Sequence, residues 1–273
     1  MSKNQPALTG VAQTMLLPLW GRYSESVKPD GLIRDDKCVE MVRQSGLNLA
    51  AVGRTQHPLT RLAWVARAWN ADAALRGLTA QGNTTVLCLG CGLDTAFYRS
   101  GAGAVRWYDM DLPAVIAWRR QLVGEHERCR MIPGSVLDKK SYASVHAAGR
   151  LVVLALGLLC YFTADEVRRI LSLAADAADD TVLVCDYFSK TGVAVSNRMV
   201  VAGAGAPMVW HAESAQSIAA MRPDAQVLDD YALFKRIMPL LSPADAAMAA
   251  KSDAVPVESM AVVRLQRHQG TNV

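Results

Sequence analysis

The chain has 273 residues, of which 51% are hydrophobic and 20% charged, with a formal net charge of +4. That length suits one large α/β domain, or a domain carrying a cap, and the composition is an ordinary globular one. The positive balance is mild and its Lys and Arg are scattered, which leaves no footprint for nucleic acid, and the longest uncharged run beside a strand, residues 151–163, is too short to span a bilayer.

No charged start followed by an apolar core and a small-residue cleavage site is visible, so no secretory signal is expected. Six cysteines spread over so long a chain do not make a disulfide framework, and a reducing cytoplasm fits them best.

In chain order, residues 7–26 read as a helix, with Met15, Leu16, Leu19, Trp20 and Tyr23 at helical spacing and Pro18 expected to kink or break it. Asp35-Asp36 opens a second helix. Residues 60–78 give the clearest helix, striped by Leu62, Val65, Ala66, Trp69 and Ala73, and Gly82-Asn83 leads out of it. From there strands are expected at 84–89, 104–109, 129–132, 150–156 and 181–187, with helices at 94–99, 112–123 and 164–178 between them. Such alternation argues for βαβ units and a mostly parallel sheet. Residues 151–156 are apolar at every position, as a central strand buried on both faces requires. The pattern breaks over 188–245, where the run 203–207 is rich in Gly and Ala, and this segment reads as an inserted substrate cap. Residues 261–267 close the sheet, at its antiparallel end.

The stretch 86–99, Val-Leu-Cys-Leu-Gly-Cys-Gly-Leu-Asp-Thr-Ala-Phe-Tyr-Arg, carries the chemistry. An apolar strand runs straight into Gly90-Cys91-Gly92, where positive φ and close ligand approach are possible, and Asp94-Thr95 offers a helix start. Strand, glycine turn and helix N-terminus together build a nucleotide-type cradle at the carboxyl end of a parallel strand. About 20 residues on, Asp109 and Asp111 end the next strand, where a carboxylate is placed to accept hydrogen bonds from ribose hydroxyls. Cys88 and Cys91 form a Cys-x-x-Cys, but one falls in the strand and the other in the turn. No second pair or nearby histidine completes a zinc set, so neither redox nor metal chemistry is expected.

Five separated motifs occur in the order found in one family. They are Leu16-Leu17-Pro18-Leu19-Trp20-Gly21-Arg22-Tyr23-Ser24-Glu25-Ser26 with Leu32-Ile33-Arg34-Asp35-Asp36-Lys37; Leu89-Gly90-Cys91-Gly92-Leu93-Asp94-Thr95 with Phe97-Tyr98-Arg99; Trp107-Tyr108-Asp109-Met110-Asp111-Leu112-Pro113, continuing to Arg119-Arg120; Ser135-Val136-Leu137-Asp138; and Leu158-Leu159-Cys160-Tyr161-Phe162. Over residues 12–266 the sequence resembles the leucine carboxyl methyltransferase superfamily, and within it the bacterial branch that methylates polyketides.

The resemblance implies an S-adenosylmethionine-dependent, class I (Rossmann-like) methyltransferase fold. That fold is a mostly parallel seven-stranded sheet with helices on both faces, forming one domain over 1–273. Its N-terminal helical lid portion would be 1–80 and its inserted cap 188–245. By position, Gly90, Cys91, Gly92 and Asp94 would meet the methionine and ribose parts of the cofactor. Asp111 would hold the ribose hydroxyls beside Leu112, with Asp109 as second choice, and Ser135 and Val136 would flank the adenine. Arg61, or alternatively Arg67, would pair with the methionine carboxylate. One departure stands out: the family's Glu before the Leu-Leu-x-Tyr stretch is Leu156 here, and Asp186 is the candidate to compensate.

No clear catalytic base is visible. His211 is a candidate for a hydroxyl acceptor, against a plain surface or packing histidine, and Trp20, Tyr23, Tyr161, Phe188 and Trp210 are candidates to line an apolar acceptor pocket. The implied activity is O-methylation of a carboxylate or hydroxyl on a small, secondary-metabolite-type acceptor. The alternatives are methylation of a protein or peptide C-terminal carboxylate, and a weakly active, cofactor-binding partner subunit.

Overall fold

The computed structural model describes residues 14–54, 56–80, 82–101, 105–199 and 206–266. Helices α1 (Leu16–Ser26), α2 (Asp36–Ser45), α3 (Leu49–Gly53) and α4 (Pro58–Thr79) come first. Then follow β1 (Thr84–Leu89), α5 (Ala96–Arg99), β2 (Arg106–Asp111), α6 (Pro113–Val123), β3 (Cys129–Pro133), α7 (Lys139–Tyr142) and β4 (Arg150–Ala155). The chain ends with α8 (Ala164–Asp176), β5 (Asp180–Phe188), α9 (Lys190–Met199), α10 (Ala215–Ala219), β6 (Gln226–Ala232), α11 (Pro243–Ala254) and β7 (Glu258–Gln266).

The expected helix over 7–26 is seen from Leu16 onward; residues 7–13 lie outside the described residues, as do 104, 203–205 and 267. Pro18 neither kinks nor breaks α1. It falls in the first turn, where a backbone N–H has no partner within the helix and the fixed φ suits helix entry. Helix starts are fixed by side chains: Asp35 accepts from Cys38 N at the head of α2, and Thr163 and Glu166 form a reciprocal capping box at the head of α8.

The seven strands hydrogen-bond in the order β3-β2-β1-β4-β5-β7-β6, parallel except for β7, which runs antiparallel to both its neighbours. Alternate residues of the central strands feed two cores. Val86, Cys88, Val152 and Leu154 face the layer of N-terminal helices and α6, while Leu87, Leu89, Leu151 and Val153 face the layer of α8. This is why those strands read as unbroken apolar runs.

One strand escaped the sequence pattern. Residues 226–232, taken with the inserted segment, form β6 on the edge of the main sheet, so the sheet regains a strand inside 188–245. Asp229 and Asp230 sit in it beside a register irregularity, and charged, bulged edges discourage further pairing while masking the strand signal. The strand order reverses between β2-β1 and β4-β5, and ligands bind in the crevice that such a switch opens at the carboxyl ends of parallel strands.

Candidate active site

The turn after β1 has the conformation that its glycines predict. Gly90 and Gly92 have φ of +59° and +47°, a region costly for residues with a Cβ. A Cβ on Gly90 would stand 2.6 Å from Leu158 Cδ1. Asp111, at the tip of β2, ties the turn down: its Oδ2 accepts from Gly92 N at 2.8 Å and its Oδ1 from Leu112 N at 2.7 Å. Burial pushes the Asp111 carboxyl upward, against the pull of those two N–H groups. Asp109 does different work. It is buried, accepting from Trp107 Nε1 at 2.8 Å and Arg119 Nη2 at 2.6 Å, and Arg119 Nη1 reaches on to Gly92 O at 3.1 Å. Of the two aspartates, Asp111 is therefore the one left at the cradle, while Asp109 and Arg119 brace the turn from below.

The expected helix N-terminus is shorter than the motif suggested. α5 has only four residues, and Asp94 Oδ1 caps it by accepting from Ala96 N at 3.0 Å. So short a helix has little dipole to offer, and the cradle rests on the turn and on Asp111 instead.

Behind the turn lies a buried ionic cluster that joins the N-terminal helices to the sheet. Asp35 accepts from Arg22 Nε at 3.1 Å, Thr95 Oγ1 at 2.6 Å and Arg99 Nη1 at 2.8 Å, while Arg99 also grips Asp72 at 2.7 Å and Asp94 at 3.0 Å. Burial opposes the charge on Asp35 and Asp94, but Arg99 and Arg22 outweigh it and hold both carboxyls below the usual range. At Asp72 burial prevails over Arg99, and its carboxyl is raised.

A cavity of about 410 Å³ opens over the strand tips. It brings together Gly90, Cys91, Gly92, Asp94, Asp111, Leu112, Leu156, Tyr161 and Phe188 of the expected residues. It excludes others. Arg61 pairs with Glu25 and lies outside the lining, whereas Arg67, the alternative, is in it. Ser135 and Val136 follow β3 close to Asp111, through Gly134 N to Asp111 O at 2.9 Å, but do not border the cavity.

Trp20 packs edge-on against Trp64 and fills the space beside Gly53, and Tyr23 packs on the N-terminal side of the core. Trp210 is buried in the opposite layer with α8, and His211 is an exposed residue whose Nδ1 lies 3.3 Å from Glu213 Oε1. None of these four borders the cavity: Trp20, Tyr23 and Trp210 pack into the protein away from it, and His211 faces solvent.

Glu258 and Arg22 also line the cavity, although the sequence pattern gives neither a site role. A lone acid opening the apolar run of β7 was the available signal for Glu258. Asp186, the expected compensator for Leu156, is already engaged: its Oδ1 accepts from Gly157 N at 2.5 Å and its Oδ2 from Arg67 Nη1 at 3.1 Å. Cys88 and Cys91 are free and buried, and burial pushes both thiols well up, which disarms them as nucleophiles. Among the described residues no cluster of three or more His, Cys, Asp or Glu is arranged for a metal, and no helix is long and apolar enough to cross a membrane.

The chain is 30% identical over 165 residues to the tetracenomycin polyketide synthesis O-methyltransferase of Streptomyces glaucescens, covering 60% of this chain and 61% of that one. It is 27% identical over 188 residues to an S-adenosyl-L-methionine-dependent methyltransferase of Gibberella zeae, covering 63% and 62%. The chain thus spans about three fifths of the length of the curated relatives it matches.

In three dimensions it is similar to a Thermobifida fusca protein described as a methyltransferase, with a TM-score of 0.62 at 15% identity over 95% of each chain. It is also similar to the magnesium protoporphyrin IX methyltransferase of Synechocystis, with a TM-score of 0.51 at 13% identity over 84% of this chain and 99% of that one. Residues 16–175, more than half of the sequence, match the leucine carboxyl methyltransferase family, and the chain belongs to that family of S-adenosylmethionine-dependent, class I methyltransferases.

Proposed function

We propose that this protein is an O-methyltransferase that binds S-adenosylmethionine over the Gly90-Cys91-Gly92 turn and methylates a small-molecule acceptor of the secondary-metabolite type. The observation that carries the proposal is the continuity of one cavity. The same cavity is lined by the glycine turn and Asp111 and by the aromatic Tyr161 and Phe188. The Streptomyces relative, whose described role is polyketide O-methylation, supports the same acceptor class.

Bound there, the cofactor would supply an electrophilic methyl group. The residues of this chain bind, orient and exclude water. Gly90 and Gly92 let the backbone come close to the ligand, Asp111 accepts from the ribose hydroxyls, and Leu112 covers that edge. Cys91 and Asp94 flank the turn, and Ser135 and Val136 stand on the β3 side, for adenine. Arg67, rather than Arg61, reaches the methionine carboxylate. Leu156 offers an apolar wall where the family has an acid, so fewer charges hold the methionine end. Direct displacement needs the acceptor oxygen in line with the methyl group and water kept from it, and the aromatic side chains of the cavity lining would serve both ends.

Calorimetric titration with S-adenosylmethionine and transfer of its labelled methyl group to a panel of small aromatic acids and hydroxyls test the proposal. Binding followed by transfer to a member of the panel is the expected result. Binding without transfer to any of them would favour a partner subunit, and transfer only to peptide C-termini would favour the peptide carboxylate.

A further inference from the structure

The amino-acid tail of a ligand carries two opposite charges side by side, so its site needs a cation for the carboxylate and an anion for the ammonium. Two arginine–acid neighbours border the cavity. One is Arg22 with Asp94, and both belong to the ionic cluster behind the turn: Arg22 is held by Asp35 and by Leu93 O at 2.8 Å, and Asp94 by Arg99 and Ala96 N. The other is Arg67 with Glu258, at the head of β7, whose Oε1 accepts from Arg67 Nη1 at 3.4 Å. Among the described residues both contacts of this guanidinium, to Asp186 and to Glu258, pass through Nη1. A guanidinium has five donors, so a ligand carboxylate can be taken by the others. The third acid of the described lining, Asp111, ties down the glycine turn.

The place of the pair in the fold fits as well. The Arg67 guanidinium lies against the tip of β4: a Cβ on Gly157 would stand 3.0 Å from both Nη1 and Nη2. Gly157 follows Leu156, the position where the family has its acid, and both line the cavity. Asp186 does not fill that gap, since Gly157 N and Arg67 occupy it and it does not border the cavity. Glu258 does border it, and its contact with Arg67 brings a carboxyl from β7 to the neighbourhood of the acid absent from β4.

We propose that Glu258 binds the α-ammonium of S-adenosylmethionine, beside Arg67 on the α-carboxylate, and that it releases a proton to solvent as the ammonium arrives. The assignment rests on the methyltransferase reading above and its placing of Arg67. On binding, the O–H bond of the Glu258 carboxyl breaks, its electron pair stays on oxygen, and the proton passes to water. The groups around Glu258 favour the protonated form until then. Burial raises its carboxyl above the ordinary range, the charge of Asp186 and a hydrogen bond shared with Asp186 add to that, and Arg67 opposes them. The Cys160 thiol in the turn after β4 is itself pushed up by burial and stays neutral. The α9 and β6 contacts at this end, Gly192 against Val257 and Leu233 N donating to Glu258 O, are uncharged. A cation placed beside such a carboxyl favours its ionised form, which is why binding expels the proton. An ammonium has three donors, so Glu258 takes only part of its capacity.

The test titrates the full chain calorimetrically with S-adenosylhomocysteine, which has the same amino-acid tail, with its analogue lacking the α-amino group, and with 5′-methylthioadenosine, which lacks the tail. Glu258→Gln should weaken S-adenosylhomocysteine about tenfold or more and leave the other two ligands within about twofold of the wild type. An equal loss for S-adenosylhomocysteine and the deaminated analogue, or no loss for either, would overturn the assignment. The wild type gives an independent reading that holds even if the variant does not fold. At about pH 6.5, in buffers of different ionisation enthalpy, it should release about half a proton or more per S-adenosylhomocysteine bound and almost none with the deaminated analogue. Binding of S-adenosylhomocysteine without proton release, or the same release with both ligands, would overturn the assignment. Failure of the wild type to bind S-adenosylhomocysteine at all would instead remove the methyltransferase reading beneath it.

Discussion

Two buried ionic clusters flank the cavity, and they differ in how completely their charges are met. In the first, Arg22 and Arg99 face Asp35, Asp72 and Asp94, and helix-capping N–H groups and the Thr95 hydroxyl take up further oxygens. It is closed, and it locks α1, α2 and α4 to the segment after the glycine turn. In the second, one arginine serves two acids, and Glu258 borders the cavity as Arg22 and Asp94 of the first also do. The same residue types thus make one cluster in which two arginines serve three acids and another in which one arginine serves two. Satisfied buried networks rigidify; a carboxylate left at a cavity wall is poised to act on a ligand.

Breaking the closed cluster should have the largest effect. Arg99→Met removes the guanidinium shared by three carboxylates and should lower unfolding free energy by about 3–5 kcal/mol in urea denaturation at neutral pH. A loss under about 1 kcal/mol would mean that water reaches those carboxylates and that the cluster is not closed. Next comes the cradle. Asp111→Ala should weaken S-adenosylmethionine by about 1.5–3 kcal/mol in calorimetry. Full affinity in that variant, with loss in a folded Asp109→Ala, would move the ribose contact down the strand.

Leu156→Glu sharpens the open side of the comparison. A carboxylate restored at the family position should tighten S-adenosylmethionine by roughly tenfold with the melting temperature preserved. Weaker binding together with a lower melting temperature would show a wall organised around leucine.

Asp35 and Asp94 of the first cluster should answer pH in the opposite sense to Glu258 of the second. Asp35 and Asp94 have depressed pKa values, so their contribution to stability is complete above the ordinary carboxylate range and is lost as pH falls through the folded values. Glu258 is raised, so its contribution is complete in acid and is lost as pH rises from the ordinary carboxylate range through its folded value. Glu258→Gln should therefore flatten the alkaline side of a stability profile and leave the acid side alone; flattening on the acid side would reverse the assignment of the two clusters. The smallest effect belongs to His211→Ala. Its pairing with Glu213 is exposed, and stability should change by less than about 1 kcal/mol with methyl transfer unaltered. A large loss of transfer would return His211 to the site.

Local sequence determined the cofactor half. β1, the positive-φ glycines and the acid ending β2 are neighbours in the chain or lie one βαβ unit apart, and periodicity, backbone freedom and strand polarity are properties that a short segment carries by itself. The residue pattern added the closing strand at the antiparallel end, and the family motifs extended the reading to a seven-stranded sheet. The choice between Arg61 and Arg67 was beyond that reach. Both project from α4, and only the docking of the helix decides that one meets Glu25 while the other meets Asp186 and Glu258. β6 stayed hidden because an edge strand with adjacent aspartates draws its stability from the β7 ladder rather than from its own apolar pattern. Glu258 stayed hidden because its partners lie 191 and 72 positions away, and a lone acid at the head of a strand acquires its meaning only when the antiparallel β7 brings it beside Phe188 and beneath the cavity. Chemistry written in the backbone could be read along the chain; chemistry written in charge pairs across the sheet was decided by tertiary structure, because burial and distance set the worth of a charge and neither is a property of sequence position.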